Sequence, residues 1–335
     1  MEHMLTKHCV YFDFIKGLAI MGVIAIHTVK LNFDPISVMG VLIVVIRNFL
    51  GCCVPLFVAA SGYFLWKKSF HTKIEYKRFL TSRLRIVYIP MLLWGLPWFL
   101  LSLKGANMVG AAYNTILYFA GGLSIFYFIT LIFECYVFLP IIKKVRFVGV
   151  VLLSVISIII TFVWTMVNHT TGLHVPLIVY CSFPTYIGYF ALGCYLGRTE
   201  IRPNCWIVCI ITILGLIGAV AETYYWFTYH GTNNGMGLKS SVSFFSFGVI
   251  LLVFSKRFSD KYKSTKITKW IEWCGVQSMP IYLSHMLILF IINYMGIQFM
   301  TWFINWLLLF SLDVFLVCAI YRGLPQKVLP YLGIR

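Results

Sequence analysis

Residues 11–30 read YFDFIKGLAIMGVIAIHTVK, a run long and apolar enough to cross a bilayer as one helix. It carries Asp13, Lys16 and His27 where a plain anchor would carry Leu or Val, and ionisable groups in hydrocarbon are expensive. At about 100° of rotation per residue, the steps from Asp13 to His27 and from Lys16 to His27 both return near the same face of a helix, so one side holds all three. The rise from Lys16 to His27 is roughly 16 Å. The ionic pair is therefore expected near one membrane surface and the imidazole well across the bilayer. Two readings stay open. Either Asp13 and Lys16, at i and i+3, neutralise each other as helix glue while His27 faces headgroups, or the three line a substrate route.

The rest of the chain agrees with a membrane setting. Of 335 residues, 61% are hydrophobic and 11% charged, and the mean hydropathy of +0.89 lies far outside the range of soluble domains. A net charge of +17 would suggest nucleic acid in a soluble protein. Here the basic residues fall in short connections between apolar runs, so membrane orientation is the simpler cause and nucleic acid is not expected. The ten cysteines lie mostly in apolar runs and form no CxxC, and are read as small buried residues rather than a disulfide framework. No cleavable signal is evident, because Asp13 and Lys16 interrupt its would-be apolar region.

Runs of about 20 apolar residues predict ten spans, at 10–29, 38–66, 86–103, 122–142, 147–167, 180–197, 205–228, 240–255, 275–296 and 302–321. The second is too long to cross upright, and is expected to tilt or to bend at Gly51 and Pro55. Lys and Arg then collect in alternate connections, as orientation in a membrane requires. Lys30, Lys104 and Lys239 fall on one side, Lys16 and Arg47 within spans, and every other Lys and Arg on the opposite side. The expectation is an all-α integral membrane protein of about ten transmembrane helices with N- and C-termini cytoplasmic. It forms a single transmembrane domain over 1–335, since the longest polar connection, near 256–269, is too short to fold alone. No internal repeat of the transporter kind is visible.

Beyond the first span, three stretches hold candidate chemistry. The second span ends in Val54-Pro55-Leu56-Phe57-Val58-Ala59-Ala60-Ser61-Gly62-Tyr63-Phe64, where proline and glycine free backbone groups that a cavity or neighbour must satisfy. The run that follows holds Lys67, Lys68, Lys73, Lys77, Arg78, Arg83 and Arg85, more positive charge than orientation needs, so an anionic ligand or anionic lipid is expected there. The ninth span carries Ser278-Met279-Pro280-Ile281-Tyr282-Leu283-Ser284-His285, a second intramembrane histidine, either a satisfied interior ring or part of a site. Glu134, Glu222 and Asp313 are further acids in predicted spans, each a possible partner for Arg47, Lys16 or a histidine. No GxSxG, HExxH, P-loop or metal-ligand spacing occurs, so hydrolase and metalloenzyme readings lack support and no metal is expected.

Asp13-x-x-Lys16-Gly17 followed by His27, then Pro55-Leu56-Phe57 leading to Ser61-Gly62-Tyr63, then Ile281-Tyr282-Leu283-Ser284-His285, resembles membrane acyltransferase family three. That family includes bacterial O-acetyltransferases of O-antigen, enterobacterial common antigen and exopolysaccharides. The resemblance implies a multi-pass protein of the bacterial inner membrane that takes an acyl group, acetyl above all, from cytoplasmic acetyl-CoA. The acceptor it implies is a hydroxyl of a lipid-linked or surface polysaccharide such as lipopolysaccharide. It also implies that His27 matches the family's essential histidine, and that Lys16 stands where an arginine is more usual. Arg83 and Arg85 lie near its Arg-x-x-Arg motif with one residue fewer between them.

On this reading His27 is catalytic, as general base or acyl relay, and Asp13 holds Lys16. Lys16, Arg83 and Arg85 bind the donor's nucleotide and phosphates at an inner mouth. Arg47, Ser61, Tyr282 and His285 support the substrate or the site. Two alternatives remain: a transporter or flippase for a lipid-linked sugar, using the same buried charges for passage, or a transferase of succinyl or another acyl group.

Overall fold

The computed structural model describes residues 2–28, 34, 36–173, 175–199, 203–230, 238–297 and 301–334, with side chains from residue 10 onward, His230 excepted. Lys30, Arg202 and Arg335, and the side chain of Lys7, which entered the charge alternation, lie outside the described residues. Among the described residues the chain is helical with no strand, as expected where backbone groups cannot turn to water. The helices in order are α1 (Glu2–Thr28), α2 (Val38–Leu50), α3 (Cys53–Leu65), α4 (Lys73–Leu103), α5 (Met108–Ala120), α6 (Tyr127–Ile142), α7 (Phe147–Thr170) and α8 (Leu177–Tyr180). They continue as α9 (Phe183–Arg198), α10 (Cys205–His230), α11 (Ser240–Val253), α12 (Lys256–Ser259), α13 (Lys266–Val276), α14 (Ser278–Tyr294) and α15 (Trp302–Gly323).

Six of these are long and apolar enough to cross a membrane, counting α2 and α3 as one, and a bent pair, α13 with α14, makes up to seven. The three expected spans outside that set are α6, α9 and α11, which with 16, 16 and 14 residues reach only about 24, 24 and 21 Å, short of the roughly 30 Å of a bilayer core. The chain breaks at Gly51, as its sequence suggested, and a side chain there would press on Val242. Pro55, four residues on, has no N–H to give the Gly51 carbonyl, so both residues the sequence pointed to lie at the break. The proline sits in the first turn of α3, a position that tolerates it where a helix starts afresh.

Two boundaries differ from expectation. The third span begins at Lys73 rather than 86, because Thr72 caps it, accepting from the Glu75 N–H at 3.1 Å while the Glu75 carboxylate accepts from the His71 N–H at 2.9 Å. At 31 residues α4 is about 46 Å long, so its basic first turns extend beyond any hydrocarbon core. The segment left between spans forms α5, laid on α4 by stacking of Tyr118 on Phe99 and stopped by Gly121 at φ +76°. The ninth span is not straight either: α13 and α14 meet at 78° around the buried Gln277.

Small residues set how closely the bundle packs. Gly17 faces the carbonyl of Ile271 and Gly275 that of Asp13, joining α1 to α13, while Gly193 faces Ala59 and Gly62 faces Phe190, joining α3 to α9. A methyl group at any of the four would meet backbone. The described cysteines are all free, and Cys52, Cys53, Cys135, Cys181, Cys194 and Cys274 are buried, in keeping with the sequence reading.

Candidate functional site

Lys16, Ile20, Val23 and His27 follow one another along α1 in steps of four, three and four, which places them in a single line on one helix face. The first three line a cavity of about 200 Å³. Its other walls are Val54, Phe57 and Ser61 of α3, Val87 of α4, Phe128, Ile129, Ile132 and Tyr136 of α6, and Gly275, Val276, Ser278, Met279 and Tyr282 along α13 and α14. At the charged end Lys16 Nζ meets Asp13 Oδ1 at 2.7 Å, and both side chains keep about a quarter of their surface open (27% and 26%). The middle is apolar, with Ser61, Ser278 and Tyr282 as polar exceptions.

The cavity stops one helical turn short of the histidines on both helices. His27 follows Val23 by four residues, and His285 follows Tyr282 by three. Beyond that limit the two imidazoles lie side by side, ring centroids 5.2 Å apart at 46°, and the Tyr282 ring is 5.8 Å from that of His285. The Tyr282 hydroxyl is anchored on the Ile125 carbonyl. His285 is fully buried; its Nδ1 meets the Tyr282 carbonyl at 2.7 Å, and its Nε2 has no partner. Arg47 of α2 is close enough to act electrostatically on His27, and its own Nε is buried without a partner.

The sequence-predicted residues thus fall into separate places. Lys16, Ser61 and Tyr282 share the cavity, Asp13 holds Lys16, and His27, His285 and Arg47 form a polar group past its end. Arg83 lies over the rings of Phe79 and Tyr136, at 5.3 and 5.9 Å, and Tyr136 is itself a cavity wall. Arg85, two residues on, points elsewhere, into an exposed groove along α4 with Lys77 and Arg78. No group of three or more potential metal ligands occurs among the described residues.

Among the described residues, the three further acids pair with none of the cations or histidines expected. Glu134 accepts from the backbone N–H of Phe183 at 2.9 Å, at the start of α9. Glu222 accepts from the backbone N–H and hydroxyl of Ser241 at the start of α11. Each carboxylate therefore meets the positive end of a helix, a role that distance along the chain conceals. Asp313 accepts from the Ser284 hydroxyl at 2.6 Å, leaving Oδ2 without a partner.

Lys239 also departs from expectation. Placed by its position in an outer connection, it is fully buried, with Nζ donating to Asn48 Oδ1 at 2.7 Å, to the Ala219 carbonyl at 3.1 Å and to the Thr223 hydroxyl. The one sequence signal for it was Glu222 inside the preceding apolar run, an acid in want of a cation nearby.

Comparison with protein families gives one result: a family model described as an acyltransferase domain matches residues 10–322. Neither the curated proteins nor the solved structures give a match.

Proposed function

The chain belongs to acyltransferase family three, and from that premise we propose that it carries an acetyl group from cytoplasmic acetyl-CoA to a hydroxyl of a lipid-linked or surface polysaccharide in a bacterial inner membrane. The observation that supports this reading is the cavity, which begins at a cation and follows one face of α1 to within a turn of His27. An extended thioester arm is thin and mostly apolar, and the roughly 16 Å from Lys16 to His27 is of the order such an arm spans.

In this reading the mouth at Lys16 faces the cytoplasm, and Lys16 and Arg83 hold donor phosphates by charge-assisted bonds. Lysine supplies a point charge there rather than a bidentate fork. Asp13 keeps the ammonium in place, and Arg85 reaches the same phosphates only if they extend round α4. The arm passes Ser61 and Tyr282 and brings the thioester carbonyl to His27. Neutral His27 takes the proton of the acceptor hydroxyl while its oxygen bonds to the carbonyl carbon. The carbon–sulfur bond then breaks, and the proton passes from the imidazolium to the departing thiolate of coenzyme A. Proton transfer of this kind contributes about 10²–10⁴ in rate.

The deciding experiment compares the mass of the surface glycan from cells with and without the gene. An added acetyl mass supports the proposal, another acyl mass changes the donor, and an unmodified glycan refutes transfer to polysaccharide and favours passage of a lipid-linked sugar.

A further inference from the structure

A base that must hand one proton back and forth works best when its ring is held in one tautomer by a third group. In soluble enzymes a carboxylate commonly does this. Inside a bilayer a carboxylate is a costly choice, and Asp313, which accepts from the Ser284 hydroxyl next to the second histidine, is already engaged there. What stands beside His27 instead is another imidazole.

The state of that second ring follows from its contacts. A carbonyl oxygen only accepts, so the 2.7 Å contact between His285 Nδ1 and the Tyr282 carbonyl requires the proton on Nδ1. Nε2 of the neutral ring then carries a lone pair, and it is fully buried with no partner, a condition that buried polar atoms rarely tolerate. Two imidazoles whose facing nitrogens are a hydrogen bond apart, about 2.9 Å, have centroids about 5 Å apart. The observed separation is 5.2 Å, with the rings tilted by 46°. That separation lets a His27 ring nitrogen turned toward Nε2 close the bond, and catalytic hydrogen bonds are often misaligned before substrate arrives.

We propose that His285 is the positioning residue for His27: its Nε2 lone pair receives the His27 N–H and leaves the other His27 nitrogen bare, directed at the acceptor hydroxyl. The proposal rests on the reading of His27 as general base. The charged and titratable groups around the pair are Tyr282 on the same helix, Arg47 from α2, and Asp313 from α15 behind Ser284. Among these, Nε2 of His285 is the lone-pair nitrogen fixed by a neighbouring carbonyl. His285 touches neither donor nor acceptor in this scheme; it acts through His27.

The test uses full-length protein in proteoliposomes with acetyl-CoA and the acceptor glycan identified by mass. His285→Ala is expected to lower kcat about a hundredfold, with KM for acetyl-CoA unchanged because the cavity ends before His285. His285→Gln, whose side-chain carbonyl can accept in place of Nε2, is expected to recover to within about tenfold of the wild-type kcat. Unchanged kcat in the Ala variant overturns the proposal. So does a folded Gln variant as inactive as Ala, which would assign His285 to packing alone, and the Gln variant decides should the Ala variant fail to fold. His27→Ala, measured alongside, separates the two levels. If it still transfers acetyl, the general-base reading fails whatever His285 does; if it is dead while His285→Ala is active, only the positioning role fails.

Discussion

Two groups of polar side chains are buried in this bundle, and they are finished to different degrees. Around Lys239 the three ammonium protons find three oxygens, on Asn48, Ala219 and Thr223, and Asn48 spends its own amide protons on Val44 and Thr223. Around His27 the groups keep something in reserve: Nε2 of His285 and, behind Ser284, Oδ2 of Asp313, while Arg47, with its own Nε unpartnered, acts electrostatically on both His27 and Lys239. Both groups meet the same penalty for leaving water. The completed one ties α2 to α10 and to the start of α11, whereas the incomplete one has bonds left to offer a substrate. On the proposed function, satisfaction of hydrogen bonds, more than burial or charge, separates glue from chemistry.

That contrast breaks if both groups respond alike to mutation. The largest expected effect is on rate: His27→Ala should lower acyl transfer by about 10²–10⁴, with an unchanged thermal denaturation midpoint. Retained transfer in that variant would take His27 out of the mechanism. Next in size, Lys239→Met strands three acceptors, and should destabilise the protein by roughly 2–4 kcal/mol while the surviving folded fraction keeps its kcat. A normal midpoint with impaired kcat would move Lys239 from the first group to the second.

A double substitution sharpens the same point. Because removing both partners of a buried bond costs less than removing one, Asn48→Leu added to Lys239→Met should recover about 1 kcal/mol by denaturation; further loss would mean Asn48 has a separate task. The smallest effects concern the donor. Arg83→Ala should raise KM for acetyl-CoA about tenfold and Arg85→Ala no more than about twofold, since only Arg83 lies against a cavity wall. Equal effects would place the phosphates along the outer face of α4.

How much of this could be read in advance depended on whether a signal was local. Asp13, Lys16 and His27 stood out because ionisable residues are rare in hydrocarbon, and helix periodicity alone put Lys16 and His27 on one face. The break at Gly51 was legible because the run was too long to cross upright. The partners of Glu134, Glu222 and Asp313 were not legible, because each lies on another helix and two of them are backbone groups that every residue offers. Lys239 misled for a related reason: a cation just before an apolar run marks an outer connection equally well whether its side chain turns to water or inward. Hydropathy likewise cannot say that the basic residues from Lys73 to Arg85 are already helical, since it reads charge and not helix propensity.

The ring of Tyr282, anchored on the Ile125 carbonyl, lines the cavity and stands beside His285. A cell that stores energy as an electrochemical gradient cannot keep a wet corridor open through the membrane that holds it, however useful the corridor is to a cofactor. One aromatic ring at this point lets the protein open a cavity from one side without short-circuiting the membrane. Its replacement, Tyr282→Ala, should therefore be read first with a pH-sensitive dye inside liposomes: faster proton leak is expected, and an unaltered gradient would put the seal elsewhere.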